Sequence, residues 1–420
     1  MSPGPRRQRL TGLLPLALLF VLALPAAKAH AYPWMIRHGY TNCSTCHVDP
    51  SGFGLLTEYG RGQAQILLPT LWGGKKPDEV EPTPGIVYGA VPLPSWLNVG
   101  LSLRGAVLST TTMGETNWRD ILMIADLRLG VTAGPFLASA SIGYVPTGAK
   151  LAALTSSDRD NIVSREHWLG LRFVDNKLYL LGGRMNLPFG LRNVEHTSFV
   201  RSATGTDLNS AQQYGGQVVW DAPGIRAAVM GIAGNFLARD PIPVDNVPAS
   251  AYREQGYSGY VEGAFSNAFT LGLSSLATHA DRGLGIGSIT NPFVPDPFFD
   301  KQDVWRQAHG LFSRWHVGGP WVLLAEADLL VESGSGVPRD WGGAGLVQAD
   351  YEPIQGLHFI FTGEALRQYE ATSYGGWFSV SWFFFPYCEV RLDTIFTEYG
   401  LQGGGHEPSF SVLGQLHFSM

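Results

Sequence analysis

The chain has 420 residues, a formal charge of −6, only 15% charged residues, 12% aromatics and 52 glycines. Its acidic balance argues against nucleic acid as a partner. So low a charge content departs from soluble domains, where about a quarter of residues are charged.

Arg6, Arg7 and Arg9 precede an apolar run from Leu13 to Leu24, and Ala27-Lys28-Ala29 or Ala29-His30-Ala31 offers small-x-small cleavage sites. Residues 1–31 therefore read as a secretory signal peptide, its apolar core being shorter than the ~20 residues a spanning helix needs. Its removal takes away four cations (Arg6, Arg7, Arg9, Lys28) and no acid, so −6 becomes −10. No later run is long and apolar enough to predict a transmembrane helix.

Residues 32–68 contain Cys43-Ser44-Thr45-Cys46-His47. Cys-x-x-Cys-His is the attachment sequence of a c-type haem. Two thiols about one helical turn apart reach the two vinyl groups of a porphyrin edge, and the adjacent imidazole supplies the proximal iron ligand. Other readings of the cysteines fit less well. Zinc needs four soft ligands, and the only other cysteine is Cys388. A thioredoxin-like pair needs a βαβ unit that the pattern lacks. A Cys43–Cys46 disulfide would close a very small, strained loop. The expected cofactor is one covalent haem c on Cys43 and Cys46, with His47 as proximal ligand. Met35 and His38 are the local candidates for the sixth iron position, with water, no ligand or a barrel side chain left open. Arg37 and Arg61 are candidates to pair with the haem propionates, or are ordinary exposed arginines. A segment this short needs a cofactor or cross-link to hold itself together, so it is expected to cap a larger body.

Residues 69–95, with Pro69, Pro77, Pro82, Pro84, Pro92 and Pro94, read as an extended linker. From 96 to 420 the pattern is repeated apolar/polar alternation. Sixteen segments of about ten residues can be marked: 96–108, 120–132, 135–145, 164–174, 177–187, 212–221, 224–234, 256–266, 269–278, 303–315, 319–331, 341–352, 356–367, 374–384, 387–397 and 408–419. Tight turns such as Ala133-Gly134, Asp175-Asn176 and Phe385-Pro386 alternate with longer polar gaps such as 146–163, 188–211, 235–255 and 279–302. That order predicts an all-β transmembrane barrel of about 16 antiparallel strands in an outer membrane, short turns on the periplasmic side. In Phe378-Ser379-Val380-Ser381-Trp382 the apolar side chains should face lipid and the serines the lumen. The same holds for Phe410, Val412, Leu416, Phe418 and Met420 at the end of the chain. The loop from Phe189 to Arg201 is dense in polar groups, and two readings stand: an inward fold that brings Arg192, Glu195, His196 and Arg201 to the pore, or an ordinary solvated loop.

The stretch Pro33-Trp34-Met35-Ile36-Arg37-His38-Gly39-Tyr40-Thr41-Asn42-Cys43-Ser44-Thr45-Cys46-His47, continued by Leu56-Thr57-Glu58-Tyr59-Gly60-Arg61, resembles the haem segment of the fused outer-membrane cytochrome–porins. Pro33, Arg37, Cys43, Cys46, His47, Leu56, Gly60 and Arg61 carry the likeness. Met35 stands where the family's iron oxidases favour Phe, and His38 where they favour Gln. The resemblance implies electron transfer across the outer membrane through one haem, between an extracellular donor or acceptor such as Fe(II) and a periplasmic carrier. It leaves the enzymatic status of the chain open. The other function classes compatible with the sequence are a diffusion porin with a haem-bearing plug and a barrel that anchors a periplasmic cytochrome.

Overall fold

The computed structural model describes residues 33–146, 152–155, 160–192, 195, 198–209, 211–237, 249–283, 301–335, 337–401 and 403–420. The expected signal peptide and His196 lie outside the described residues.

One antiparallel sheet closes on itself. Leu97–Thr112 pairs on one side with Glu115–Ala133 and on the other with His406–Ser419, Leu103 facing Phe418 across the seam. Asn161–Val163 and His167–Phe173 both pair with Phe136–Val145, so together they make one interrupted strand, and the barrel has 16 positions. Closure removes every free edge, which is the condition for a sheet to exist in lipid. The observed strands keep the expected order; several run longer, while others, such as His167–Phe173 and Leu178–Met185, run shorter. Lys301–Gly318 replaces 303–315, and Val337–Ile354 replaces 341–352. The extra residues are polar rim positions, where the ladder continues although the apolar alternation that marked the strand has ended. Among the described residues no helix is long and apolar enough to cross a membrane.

The alternation acts as expected in the strand Ala371–Phe385. Phe378 and Trp382 are each 37% exposed on the outside, while Ser379 and Ser381 are buried in the lumen and donate to Asp393 and Glu389. Leu392, Leu416 and Phe410 continue the outward apolar surface.

The lumen is filled rather than open. The long connection 186–212 folds inward, its helix Phe199–Thr204 (α1) packing against strands on the far side of the barrel. Leu187, Phe189, Leu191, Phe199, Val200 and Ala203 form one apolar cluster with inward side chains that include Met230, Leu276, Phe312, Leu324 and Leu346. Polar clamps fix the loop. Arg201 pairs with Glu326, the Leu191 amide donates to Glu326 at 3.0 Å, and the Phe199 amide donates to Glu364 at 2.7 Å. Arg306 donates to the Thr204 carbonyl at 2.6 Å. Arg391 donates to Glu195 at 2.6 Å.

Residues 33–92 sit at the end of the barrel that carries the short turns. The Thr70 amide donates to the Phe383 carbonyl at 2.8 Å, and Gln355 donates to the carbonyls of Ile66 and Pro69. The stretch expected to be an extended linker lies on the rim, where Trp72 donates to the Phe384 carbonyl and Tyr88 to the Pro386 carbonyl.

A charge on the outer wall should be costly in a bilayer. Leu392→Arg is expected to destabilise the barrel in lipid vesicles by about 2–4 kcal/mol, and Ser381→Ala, on the lumen face, by less; urea unfolding with a fluorescence readout measures both.

Candidate functional site

The Cys-x-x-Cys-His stretch forms a single tight turn. The amides of Cys46 and His47 both donate to the Cys43 carbonyl, at 3.1 and 2.9 Å. The chain then doubles back, with the Val48 amide donating to Leu55 at 2.9 Å, and enters the helix Glu58–Leu67 (α2). Thr57 caps that helix through Gly60 and also donates to the Cys46 carbonyl, tying the helix start to the turn. Two glycines permit this packing: a Cβ on Gly52 would collide with the Cys43 sulfur, and one on Gly60 with the Cys46 carbonyl.

Barrel side chains hold the turn from the other side. Arg226 donates to the Thr41 carbonyl at 3.1 Å and to the Cys43 sulfur at 2.8 Å. Arg314 donates to the Thr41 carbonyl at 3.2 Å. Both guanidinium groups share the carboxylate of Glu262, and Arg226 also pairs with Asp221 at 3.3 Å. Asp221 in turn accepts from the backbone amide and hydroxyl of Ser44.

Between this turn and the lumen-crossing loop lies a chamber of about 280 Å³. Cys43, Cys46, His47 and Met35 line its floor, Leu191 and Arg192 its roof, and Glu389 and Arg391 part of its wall. Both thiols are free, and they are 6% and 3% exposed. Burial pushes the Cys46 thiol up to about 12, with Cys43 nearby adding to the shift. Burial also lowers His47 to about 4, so at neutral pH its ring is uncharged and able to ligate a metal. Its Nδ1 is buried and without a hydrogen-bond partner. Two thiols, an uncharged imidazole and an adjoining chamber fit the attachment chemistry of a c-type haem. No cluster of three or more His, Cys, Asp or Glu suited to a bare metal ion occurs among the described residues.

The four other sequence candidates separate. Met35 lines the chamber, yet it also packs with Ile66 and Leu67 in a small core of the segment. His38 is not among the lining residues. It stands beside Tyr40, and burial, with Arg37, His316 and His358 nearby, lowers it to about 4. Arg37 pairs with Glu352 of the barrel, and Arg61 donates to the Leu56 carbonyl at 3.2 Å while burial lowers its pKa. Neither lines the chamber. Arg192, Glu195 and Arg201 do lie inside the barrel, Arg192 and Glu195 on the chamber wall and Arg201 in the loop's own clamp. Sequence reading missed Arg226, Arg314, Glu262 and Asp221. Inward alternation marks such residues as lumen-facing, but the strand register decides which of them meet.

No protein-family profile matches the sequence, and no curated protein matches it. The structure is similar to solved outer-membrane barrels. Against OmpT of Vibrio cholerae the identity is 11%, covering 79% of this chain and 100% of that chain, with a TM-score of 0.54. Against the outer membrane channel DcaP of Acinetobacter baumannii the identity is 12%, covering 77% and 97%, with a TM-score of 0.54. Against an anion-selective porin from Comamonas acidovorans the identity is 12%, covering 77% and 99%, with a TM-score of 0.55. At such identities the likeness concerns the fold.

Removing Glu262 leaves two buried guanidinium groups without their shared counter-charge. Glu262→Gln is expected to cost about 3–5 kcal/mol and to expose residues 41–47 to protease sooner than the barrel strands; urea midpoints and timed proteolysis read the two effects. Docking of the haem-free segment should depend on pH. The folded His38 value lies below the unfolded 6.5, so the unfolded state binds more protons between about 4 and 6.5 and stability rises with pH across that window. The urea midpoint for release of the segment, followed from pH 4 to pH 7, is expected to fall as pH drops from about 6.5 towards 4.

Proposed function

We propose that this chain is an outer-membrane barrel that carries one haem c at its periplasmic end and passes electrons between that haem and a donor or acceptor on the outer side. The observation that carries this reading is the convergence of Cys43, Cys46 and His47 on one chamber inside a closed barrel. The porin-type fold and the outward apolar surface support the outer-membrane location. By the short-turn rule the docked segment then lies on the periplasmic side.

Cys43 and Cys46 would hold the porphyrin covalently, and His47 would stand beneath the iron. When bound, the group supplies one-electron redox chemistry. Arg226 and Arg314 position the attachment turn by holding Thr41 and Cys43 against the wall. Met35 is the chamber-lining candidate for the sixth position, a thioether that would favour the reduced iron relative to a second imidazole. The apolar cluster built around Phe189, Phe199 and Phe312 keeps water and bulky solutes away from the chamber roof. Fe(II) outside and a soluble carrier in the periplasm are the partners this reading assigns.

A second reading is a diffusion porin whose haem-bearing segment acts as a plug. The fold likeness to porins lends it more weight than it lends electron transfer, and arginines on the chamber wall would suit anionic solutes. The filled lumen weighs against it, because the loop clamped to Glu326 and Glu364 obstructs the middle of the barrel.

The test uses the protein matured with haem in intact cells. A membrane-impermeant external reductant is expected to bleach the oxidised Soret band of the wild type, while Cys43→Ala/Cys46→Ala gives no haem-stained band at all. If only permeant reductants act, and purified protein conducts small anions across planar bilayers with the segment in place, the diffusion reading replaces the first.

A further inference from the structure

The charge on the chamber wall points to what its roof receives. Six arginines line the chamber against three glutamates, with no aspartate or lysine. Most of these cations are answered within the protein. Arg165 donates to Asp126 at 2.7 Å, Arg391 to Asp393 at 2.7 Å and to Glu195 at 2.6 Å, and Arg314 pairs with Glu262. Arg104 and Arg128 keep looser partners in Glu389 and Asp126, at 3.5 and 3.6 Å.

Arg104 and Arg128 also leave Nε without a partner, but their side chains are 12% and 21% exposed, and Arg192 is the more deeply buried. It stands on the lumen-crossing loop with φ +53°, a left-handed backbone that turns its side chain into the roof. Its guanidinium lies over the Tyr260 ring, 3.9 Å from the centroid. The residue is 7% exposed, yet Nη1 has no hydrogen-bond partner. The nearest carboxylate, Glu262, is 3.9 Å away, beyond hydrogen-bond reach, and already accepts from Arg226 and Arg314. A buried guanidinium with an unfilled donor is unfavourable unless a ligand brings the acceptor. Through Glu262 and Arg226 this roof position connects directly to the Cys43 sulfur, so the seat and the attachment turn share one wall cluster.

We propose that Arg192 is the seat of a carboxylate in the chamber, and that this carboxylate belongs to the porphyrin attached at Cys43 and Cys46. The inference rests on the haem reading above and assigns to Arg192 the propionate role that the sequence offered to Arg37 and Arg61, whose guanidinium groups are engaged by Glu352 and Leu56. A fork-shaped guanidinium held over the Tyr260 ring suits bidentate binding of a planar carboxylate.

The test uses the haem-free full-length chain with free thiols and iron(III) mesoporphyrin, whose ethyl groups cannot attach to cysteine, beside its dimethyl ester. Soret titrations are expected to show the diacid binding roughly 10-fold or more tighter than the diester, since charge-assisted bonds are the strong ones. Arg192→Gln should bring the two within about 3-fold, and Arg192→Lys, which keeps the charge but not the fork, should fall between them. Heat-modifiable migration on gels confirms that each variant is a folded barrel, and Arg192→Lys carries the test if Arg192→Gln is not. Equal binding of diacid and diester to the wild type, or a preference that survives both substitutions, overturns the seat while leaving the haem reading intact. Absence of any Soret shift, together with no covalent haem after maturation, overturns the haem reading itself. Succinate binding by calorimetry that is lost in Arg192→Gln, with diacid and diester alike, overturns the proposal in favour of a free-solute site.

Discussion

A guanidinium inside a barrel wall has to find its counter-charge within the protein, because neither lipid nor an apolar plug can solvate it. Glu262 meets that demand for Arg226 and Arg314, and both arginines also donate to the Thr41 carbonyl, Arg226 reaching the Cys43 sulfur as well. The attachment turn is therefore held by the same charges that hold the lumen wall. Arg192 approaches the same carboxylate from the loop above. Three separate parts of the chain, the segment, the strands and the loop, are referred to one acidic side chain, and the chamber is the space they leave between them.

Much of the fold is legible along the chain because the barrel obeys a local rule. A side chain on a strand points either to lipid or to the lumen, so Phe378, Ser379, Val380, Ser381 and Trp382 declare their faces in order. Short turns mark the other constraint, and the sixteen expected segments occur in the expected sequence. The rule runs out where the residues stop alternating. Asn161–Val163 and His167–Phe173 form one broken strand, and in the gap the amides of Arg165 and Glu166 donate to the Ser141 hydroxyl, Arg165 donates to Asp126 and Ser164 donates to the Glu166 carbonyl.

The candidate site is legible only in part. Cys43, Cys46 and His47 are contiguous, so their chemistry appears in the bare sequence, and helical spacing alone accounts for the turn. The supporting residues are scattered over 177 positions or more from Ser44 to Asp221 and beyond. Their meeting depends on strand register and on the inward fold of the loop. For the same reason, Arg37 and Arg61 looked available as anion partners from the sequence. Glu352 is brought to Arg37 by tertiary structure, and Arg61 is engaged locally by the Leu56 carbonyl once the chain turns into the helix. The inward fold of the loop itself could be anticipated from its polar density, but its apolar packing against Phe312 and Leu346 could not.

The barrel seam has its own consequence. Gly100, Ser102, Ser419 and Met420 lie on the chamber wall, and the Leu101 amide bonds the Met420 carbonyl across the joint. Until the first and last strands zip together the compartment has a missing side, whatever the state of the amino-terminal segment. Once they have joined and the segment has docked, both thiols are sealed from solvent. A bulky reagent therefore meets those sulfurs more readily before the segment docks than after it.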